Sequence, residues 1–230
     1  MRLHRFIRDI DLSTDELTLR DPDLVSQWRN VLRITEGDTV LICDGNNTEV
    51  EAVIETLSRQ QAVVRIHKRY TLKAQTPHKV RLYISILKGD HLDMVIEKAT
   101  EVGVERITPL IAARTIKKQA NLDRLHRIAL EASEQSGRGT IPIIDEPVRL
   151  EAALAQMHED TQLCMDTQLQ AGAVTTKGTV GVWIGPEGGW TDEERELLGA
   201  KTTFMTLGPL TLRGETAAII GSYRAVQGLF

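Results

Sequence analysis

At 230 residues the chain can form one large domain or two modest ones, and its 41% hydrophobic and 26% charged content excludes disordered, collagen-like and low-complexity classes. A formal net charge of −4 excludes a uniformly basic nucleic-acid coat, yet the charge is segregated: −2 over residues 1–70, +4 over 71–140 and −6 over 141–230. Because exposed charges are largely screened beyond about 8 Å at physiological salt, the basic middle segment can still meet an anion.

The first eight residues are charged at every second or third position and lack the apolar stretch of a signal peptide. No run approaches the roughly 18 apolar residues of a membrane span. Cys43 and Cys164 lie too far apart to read as a metal or redox pair and suit buried thiols in a reducing compartment. These features predict a cytoplasmic protein with no membrane and no metal. Asp21-Pro22 supplies a helix cap and a pre-set first residue, with Leu24, Val25, Trp28, Val31 and Leu32 spaced for one buried face. Residues 39–43, 49–57 and 61–66 are rich in β-branched side chains, and Asp44-Gly45-Asn46-Asn47 suits a hairpin turn between the first two. Residues 1–70 therefore predict a small β-barrel. Residues 71–78, which follow neither period and contain Pro77, predict a linker.

From Lys79 to Phe230 strands alternate with helices. Residues 80–87 suit a strand; Asp90 is placed to cap a helix with Leu92, Val95, Ile96, Ala99 and Val102 inward, and Gly103 to end it. A strand over 106–110, a helix opened by Asn121, a strand over 141–144, a helix near 149–157 and strands over 162–165 and 179–184 follow. Thr191 and Glu194 have capping-box spacing, residues 202–207 suit a last strand and 215–227 a last helix. This pattern predicts an α/β fold, a parallel sheet covered by helices on both faces.

In such sheets ligands bind beyond the carboxyl ends of the strands. Gly185-Pro186-Glu187-Gly188-Gly189-Trp190 lies at one such end, where its glycines suit either close approach of a ligand or a tight turn alone. Residues 207–216 set Leu207, Leu210 and Leu212 between Gly208 and Gly214, which suits a flat ring held by main-chain groups. Arg213 and Glu215 beside them suit either function or a salt-bridged helix entry. Met165 ends a third, less distinctive strand and could simply fill core. The strand–helix alternation would also suit a nicotinamide-dependent oxidoreductase, but no G-x-G-x-x-G follows the first strand of this region.

Taken together, Gly185-Pro186-Glu187-Gly188-Gly189, Leu207-Gly208, Leu212-Arg213 and Glu215-Thr216-Ala217 resemble the RsmE family of ribosomal RNA methyltransferases. His4-Arg5-Phe6, Val31-Leu32-Arg33 before Gly37-Asp38, Glu97-Lys98-Ala99-Thr100-Glu101-Val102-Gly103-Val104, and Glu131-Ala132 through Glu134-Gln135-Ser136 to Arg138 agree along nearly the whole chain. Gly214 departs from the pattern, which favours a polar residue there.

The resemblance implies a PUA-like RNA-binding barrel over 1–70 and a SPOUT-type parallel sheet with a C-terminal trefoil knot over 79–230, assembled as a homodimer. It implies S-adenosyl-L-methionine as donor and N3 of uracil 1498 in 16S ribosomal RNA as acceptor, presented as free RNA or within the assembled small subunit. Met165, Ile184, Gly185, Gly188, Leu207, Gly208, Leu210 and Leu212 would then hold the cofactor. Arg138 and Arg8 are candidates to stabilise an anionic uracil, and Glu187 to accept hydrogen bonds or cap its helix. Arg2, Arg5, Arg114, Lys117, Lys118 and Arg213 are candidate RNA contacts. A catalytically silent RNA-binding protein of the same fold is the alternative.

Overall fold

The computed structural model describes residues 3–72, 76–167 and 174–230. The chain divides into two compact units: residues 1–73 with 133–140, and residues 74–132 with 141–230.

In the first unit β1 (His4–Ile7), β2 (Glu16–Leu19), β3 (Thr39–Cys43), β4 (Thr48–Leu57) and β5 (Ala62–Thr71) form one sheet in the order β1-β3-β4-β5-β2. The hairpin β3–β4 is antiparallel as its turn requires, whereas β1 runs parallel to β3. The path leaves β1 and β2 as edges, so the predicted barrel is a mixed sheet whose hydrogen-bond ladder is open. These edge strands carry only four residues each, with charged side chains among them, too few for period-2 alternation to reveal. The linear boundary also misplaces residues 133–140. Within this unit the Ile7 amide donates to Glu134 Oε1 (2.9 Å) and the Asn47 amide to the Gly139 carbonyl (3.0 Å).

Asp21 caps α1 (Pro22–Ser26) as expected, its carboxylate accepting the Asp23 and Leu24 amides. The helix then widens into a π-turn over Gln27–Val31, with the Leu32 amide bonded to the Gln27 carbonyl. One extra residue per turn shifts the register, so Trp28 is buried while Val31, placed inward by a 3.6 period, is 72% exposed. Arg33 ends the turn at φ +55°, the left-handed conformation that glycine commonly adopts there and that costs another residue about 1 kcal/mol.

In the second unit β6 (Lys79–Ser85), β7 (Arg106–Ile111), β8 (Ile143–Ile144), β10 (Thr161–Met165), β11 (Thr179–Ile184) and β12 (Thr203–Met205) lie in the order β12-β10-β11-β6-β7-β8, with β9 (Val148–Arg149) also on β7. Every pairing is parallel. Alternation along β6 sorts the two faces. Val80, Leu82 and Ile84 join a core with α2 (His91–Val102), α3 (Leu122–Ser136) and α6 (Gly214–Gln227). Tyr83, stacked on Trp183 at 3.8 Å, joins a second core with α4 (Leu150–Gln156) and α5 (Asp192–Gly199). Helices thus cover both faces, as predicted. Asp90 precedes α2 without a side-chain capping bond, while Gly103 ends it at φ +103°. Among the described residues no helix is long and apolar enough to cross a membrane.

At the amino-terminal side of the sheet Asp145 accepts from Arg81 Nη2 (3.0 Å), Arg106 Nη2 (2.7 Å) and Thr108 Oγ1 (2.6 Å). Glu159 accepts from the Tyr83 hydroxyl (3.0 Å) and pairs with Arg81. Burial pushes the Asp145 carboxyl up, but the bonds from Arg106 and Thr108 and the attraction of both guanidinium groups outweigh it and hold it below 3.8. Its contribution to stability is therefore complete above pH 3.8 and is lost as pH falls below that value through the folded pKa. Asp145→Asn should lower unfolding free energy by about 3 kcal/mol at neutral pH and flatten the loss of stability below pH 4, read from urea midpoints against pH.

Candidate active site

Five neighbouring strands, β12, β10, β11, β6 and β7, send the segments that follow their carboxyl ends into one cavity of about 870 Å³ in the second unit. That volume suits a cofactor-sized ligand. Met165 and Asp166 come from the end of β10, residues 185–190 from β11, Lys88 from β6, Arg114 from β7 and residues 206, 207 and 210–213 from the segment after β12, with Glu215 and Ala217 from α6.

The glycine loop takes its shape from the protein's own packing. Trp190 is buried in the second core, and a Cβ on Gly185 would stand 3.0 Å from its indole ring. A Cβ on Gly188 would meet the Arg114 side chain at 3.3 Å, and Gly189 turns the chain at φ +69°. The tight turn thus accounts for Gly189 and packing against Trp190 for Gly185, while the loop still lines the cavity. Thr191 and Glu194 form the predicted capping box. Buried Glu194 also reaches across to the loop after β7, accepting the Ala113 amide at 2.7 Å and the Thr191 amide at 2.9 Å. Arg114 crosses in the opposite direction, donating from Nη1 to the carbonyls of Gly188 (2.7 Å) and Trp190 (3.4 Å). Its guanidinium is a strap on the glycine loop, held through Nη1 at an exposed position on the cavity wall.

Glu187 Oε1 accepts the Lys88 amide at 2.9 Å, tying β6 to the same loop rather than capping α5. Glu215 pairs with His91 Nδ1 at 3.1 Å instead of with Arg213, and Asp166, nearly buried, pairs with Arg195 Nε at 3.0 Å. Lys88 and Arg213 are exposed, and neither side chain makes a hydrogen bond or ion pair among the described residues. Gly214 has its own local cause: a Cβ there would press on Leu87 at 3.0 Å.

Of the candidate cofactor residues, Met165, Gly185, Gly188, Leu207, Leu210 and Leu212 line the cavity. Ile184 does not; it is buried in the first core behind the loop. Gly208 lies outside the lining, and nothing stands within 4 Å of the Cβ it lacks; its φ of +146° is what requires glycine. Lys117 and Lys118 are exposed but outside the lining. In the first unit Arg5 is buried against Glu49, and Arg8 bonds Asp21 (2.9 Å) and Glu134 (3.1 Å), so both guanidinium groups serve that unit's own structure. Arg138 belongs to the 133–140 segment of the same unit. Arg2 and part of the predicted linker, residues 73–75, lie outside the described residues. Lys88, His91, Asp166 and Thr206 also line the cavity and escape sequence reading, because only the strand order brings them together. No group of three or more metal-ligating side chains occurs among the described residues.

Residues 74–223 match a family model described as an RNA methyltransferase domain, and residues 29–66 one described as an RNA methyltransferase PUA domain. The chain is 32% identical over 202 residues to the ribosomal RNA small subunit methyltransferase E of Rickettsia conorii, covering 83% of this chain and 81% of that protein. Two solved structures align over the full length of both chains at 31% identity. One is a Legionella pneumophila protein in complex with the bound cofactor SAM (TM-score 0.90). The other is a ribosomal RNA small subunit methyltransferase E from Neisseria gonorrhoeae bound to S-adenosyl methionine (TM-score 0.89).

If Arg114 is the strap on this loop, Arg114→Ala should speed amide hydrogen exchange over residues 186–190 about tenfold while leaving β6 and β11 protected. Unchanged exchange in the loop would assign its shape to Trp190 and Glu194 alone.

Proposed function

The chain belongs to the ribosomal RNA small subunit methyltransferase E family, and from that premise we propose that it transfers a methyl group from S-adenosylmethionine to N3 of a uridine in 16S ribosomal RNA. The observation that carries this reading is the cavity at the carboxyl ends of five parallel strands, whose walls mix apolar side chains, carboxylates and two unpaired cations. Leu207, Leu212, Met165 and Ala217 offer apolar surface to a flat ring, and the main chain of residues 185–190 and 206–213 offers donors and acceptors beside it. Of the lining carboxylates Asp166 and Glu215 are engaged by Arg195 and His91, which leaves Glu187, bonded through Oε1 to the Lys88 amide, to face positive charge on a ligand.

The cofactor supplies a methyl group on a cationic sulfur, an intrinsically good leaving group, so the protein's share is placement and charge. The loops must hold donor and acceptor in line at about 3–3.5 Å. As the N3–H bond is exchanged for N3–CH3 a proton leaves, and the uracil passes through anionic character. Lys88 and Arg213 at the cavity are free to stabilise that charge or an adjoining phosphate, whereas Arg8 is already engaged. Lys117 and Lys118 extend the cationic surface towards RNA.

The same reading makes the first unit, residues 1–73 with 133–140, a PUA-like RNA-binding unit and the second, residues 74–132 with 141–230, the methyltransferase domain, in the cytoplasm. It also winds the C-terminal part of this domain into a trefoil knot that ends in α6, which packs on β6, β11 and α2. Exposed Met94 on α2 and Ile220 and Tyr223 on α6 support a homodimer through these two helices.

Purified protein should transfer labelled methyl groups from S-adenosylmethionine to under-modified small subunits or their RNA, with the label mapped to N3 of one uridine by mass spectrometry. No transfer to either form would defeat the proposal. Calorimetric titration with S-adenosylmethionine separates the alternative, since a silent RNA-binding protein need not bind it.

A further inference from the structure

The first unit carries a surface that the candidate RNA contacts above do not include. At the π-turn the exposed arc holds Arg29, Asn30 and Val31 and ends at Arg33. Asn30 is occupied locally, its side chain donating to Ser26 Oγ at 3.1 Å. Neither Arg29 nor Arg33 makes a side-chain hydrogen bond or ion pair among the described residues. This sets them apart from the cations of β5: Arg65 pairs with Glu16 and Glu55, Lys68 with Glu51 and Arg69 with Asp15. The nearby acids are mostly committed too. Asp21 caps α1 and holds Arg8, Glu36 accepts the Leu57 amide and Asp38 the Thr35 amide, which leaves exposed Asp23 as the uncommitted carboxylate on α1.

Two features of this turn work against stability. Val31 puts most of an aliphatic side chain into water, and Arg33 sits in a conformation that glycine would adopt freely. A π-turn and a strained non-glycine residue side by side are the kind of local cost that binding sites retain. We propose that Arg29, Val31 and Arg33 form an RNA-docking surface for a single-stranded or looped segment, the arginines taking phosphates and Val31 resting against an exposed base. Charge complementarity decides the occupant: two unpaired guanidinium groups flanking an apolar contact match a phosphate-linked unpaired base. This inference rests on the RNA substrate and the RNA-binding first unit proposed above, and names the surface of that unit on which the RNA would dock.

The test uses the full chain and an unmodified 16S RNA transcript, with binding measured between 50 and 200 mM salt and thermal midpoints measured in parallel. Arg33→Gly should raise the thermal midpoint yet weaken RNA binding about three- to tenfold and reduce the salt slope by about 0.7–0.9. Val31→Ala should leave the midpoint unchanged and weaken binding, and Arg29→Ala should act on the slope as Arg33→Gly does. Lys68→Ala, which removes an ion-paired cation, should change little. Unchanged affinity in Arg33→Gly, or a lowered midpoint, overturns the inference. So does weakening seen only with assembled subunits, which would make the partner a protein. Methyl transfer by the wild-type chain separates the two levels: its absence defeats the proposed function, whereas its presence with undiminished Arg33→Gly binding defeats this surface alone.

Discussion

The site depends on one packing constraint: Trp190, at the end of the glycine loop, is buried in the second core. With the indole fixed there, position 185 has no room for a side chain, and the chain must turn back within five residues. Arg114 and Glu194 then close the loop against the segment after β7 from opposite sides, one donating to carbonyls and the other accepting amides. The cavity wall is thus an extension of the core rather than a loop laid over it. That arrangement spends part of the unit's packing on rigidity where a ligand needs prearranged main-chain groups.

Charge segregation along the chain acquires a different meaning once partners are known. Part of the middle segment's positive charge is engaged inside the second unit, where Arg81 and Arg106 converge on Asp145 and Arg124 pairs with Asp93. The acidic last third feeds the first turn of α5, where Asp192, Glu193 and Glu194 face a helix N-terminus that favours negative charge. Among the described residues the cations left without a side-chain partner include Lys88 and Arg213 at the cavity, Lys117 and Lys118 outside its lining, and Arg20, Arg29, Arg33 and Arg59 on the first unit. Net charge by segment therefore locates charged residues without telling which of them are free to meet a ligand.

Local rules read well wherever the determinant lies within a few residues. The Thr191 and Glu194 capping box, the left-handed stop at Gly103 and the strand–helix alternation from Lys79 onward are of this kind, and they suffice for a parallel sheet with both glycine loops at its carboxyl edge. Reading fails where a partner is distant in sequence. Arg8 looks like any N-terminal cation until Glu134 is placed beside it, and nothing local to Arg114 shows that it also binds the Gly188 carbonyl. It fails as well where geometry departs from the assumed period, since a 3.6-residue repeat cannot show that the turn at Gln27–Val31 is π-wound and turns Val31 outward. Gly208 adds a cause that composition and spacing do not show, a backbone angle of φ +146° that favours glycine whatever lies beside it.

Because the amides of Ile7 and Asn47 find their acceptors in residues 133–140, the first unit is discontinuous in the chain. A polypeptide emerging from the ribosome can pair β3 with β4 early, but the acceptors for these two edge amides arrive only after β6, α2 and β7 have been made. The two units are consequently interleaved in order of synthesis, and no single cut between them yields a complete N-terminal half. A fragment ended near residue 72 would expose polar backbone that the whole chain covers, which gives the enzyme a reason to mature as one piece.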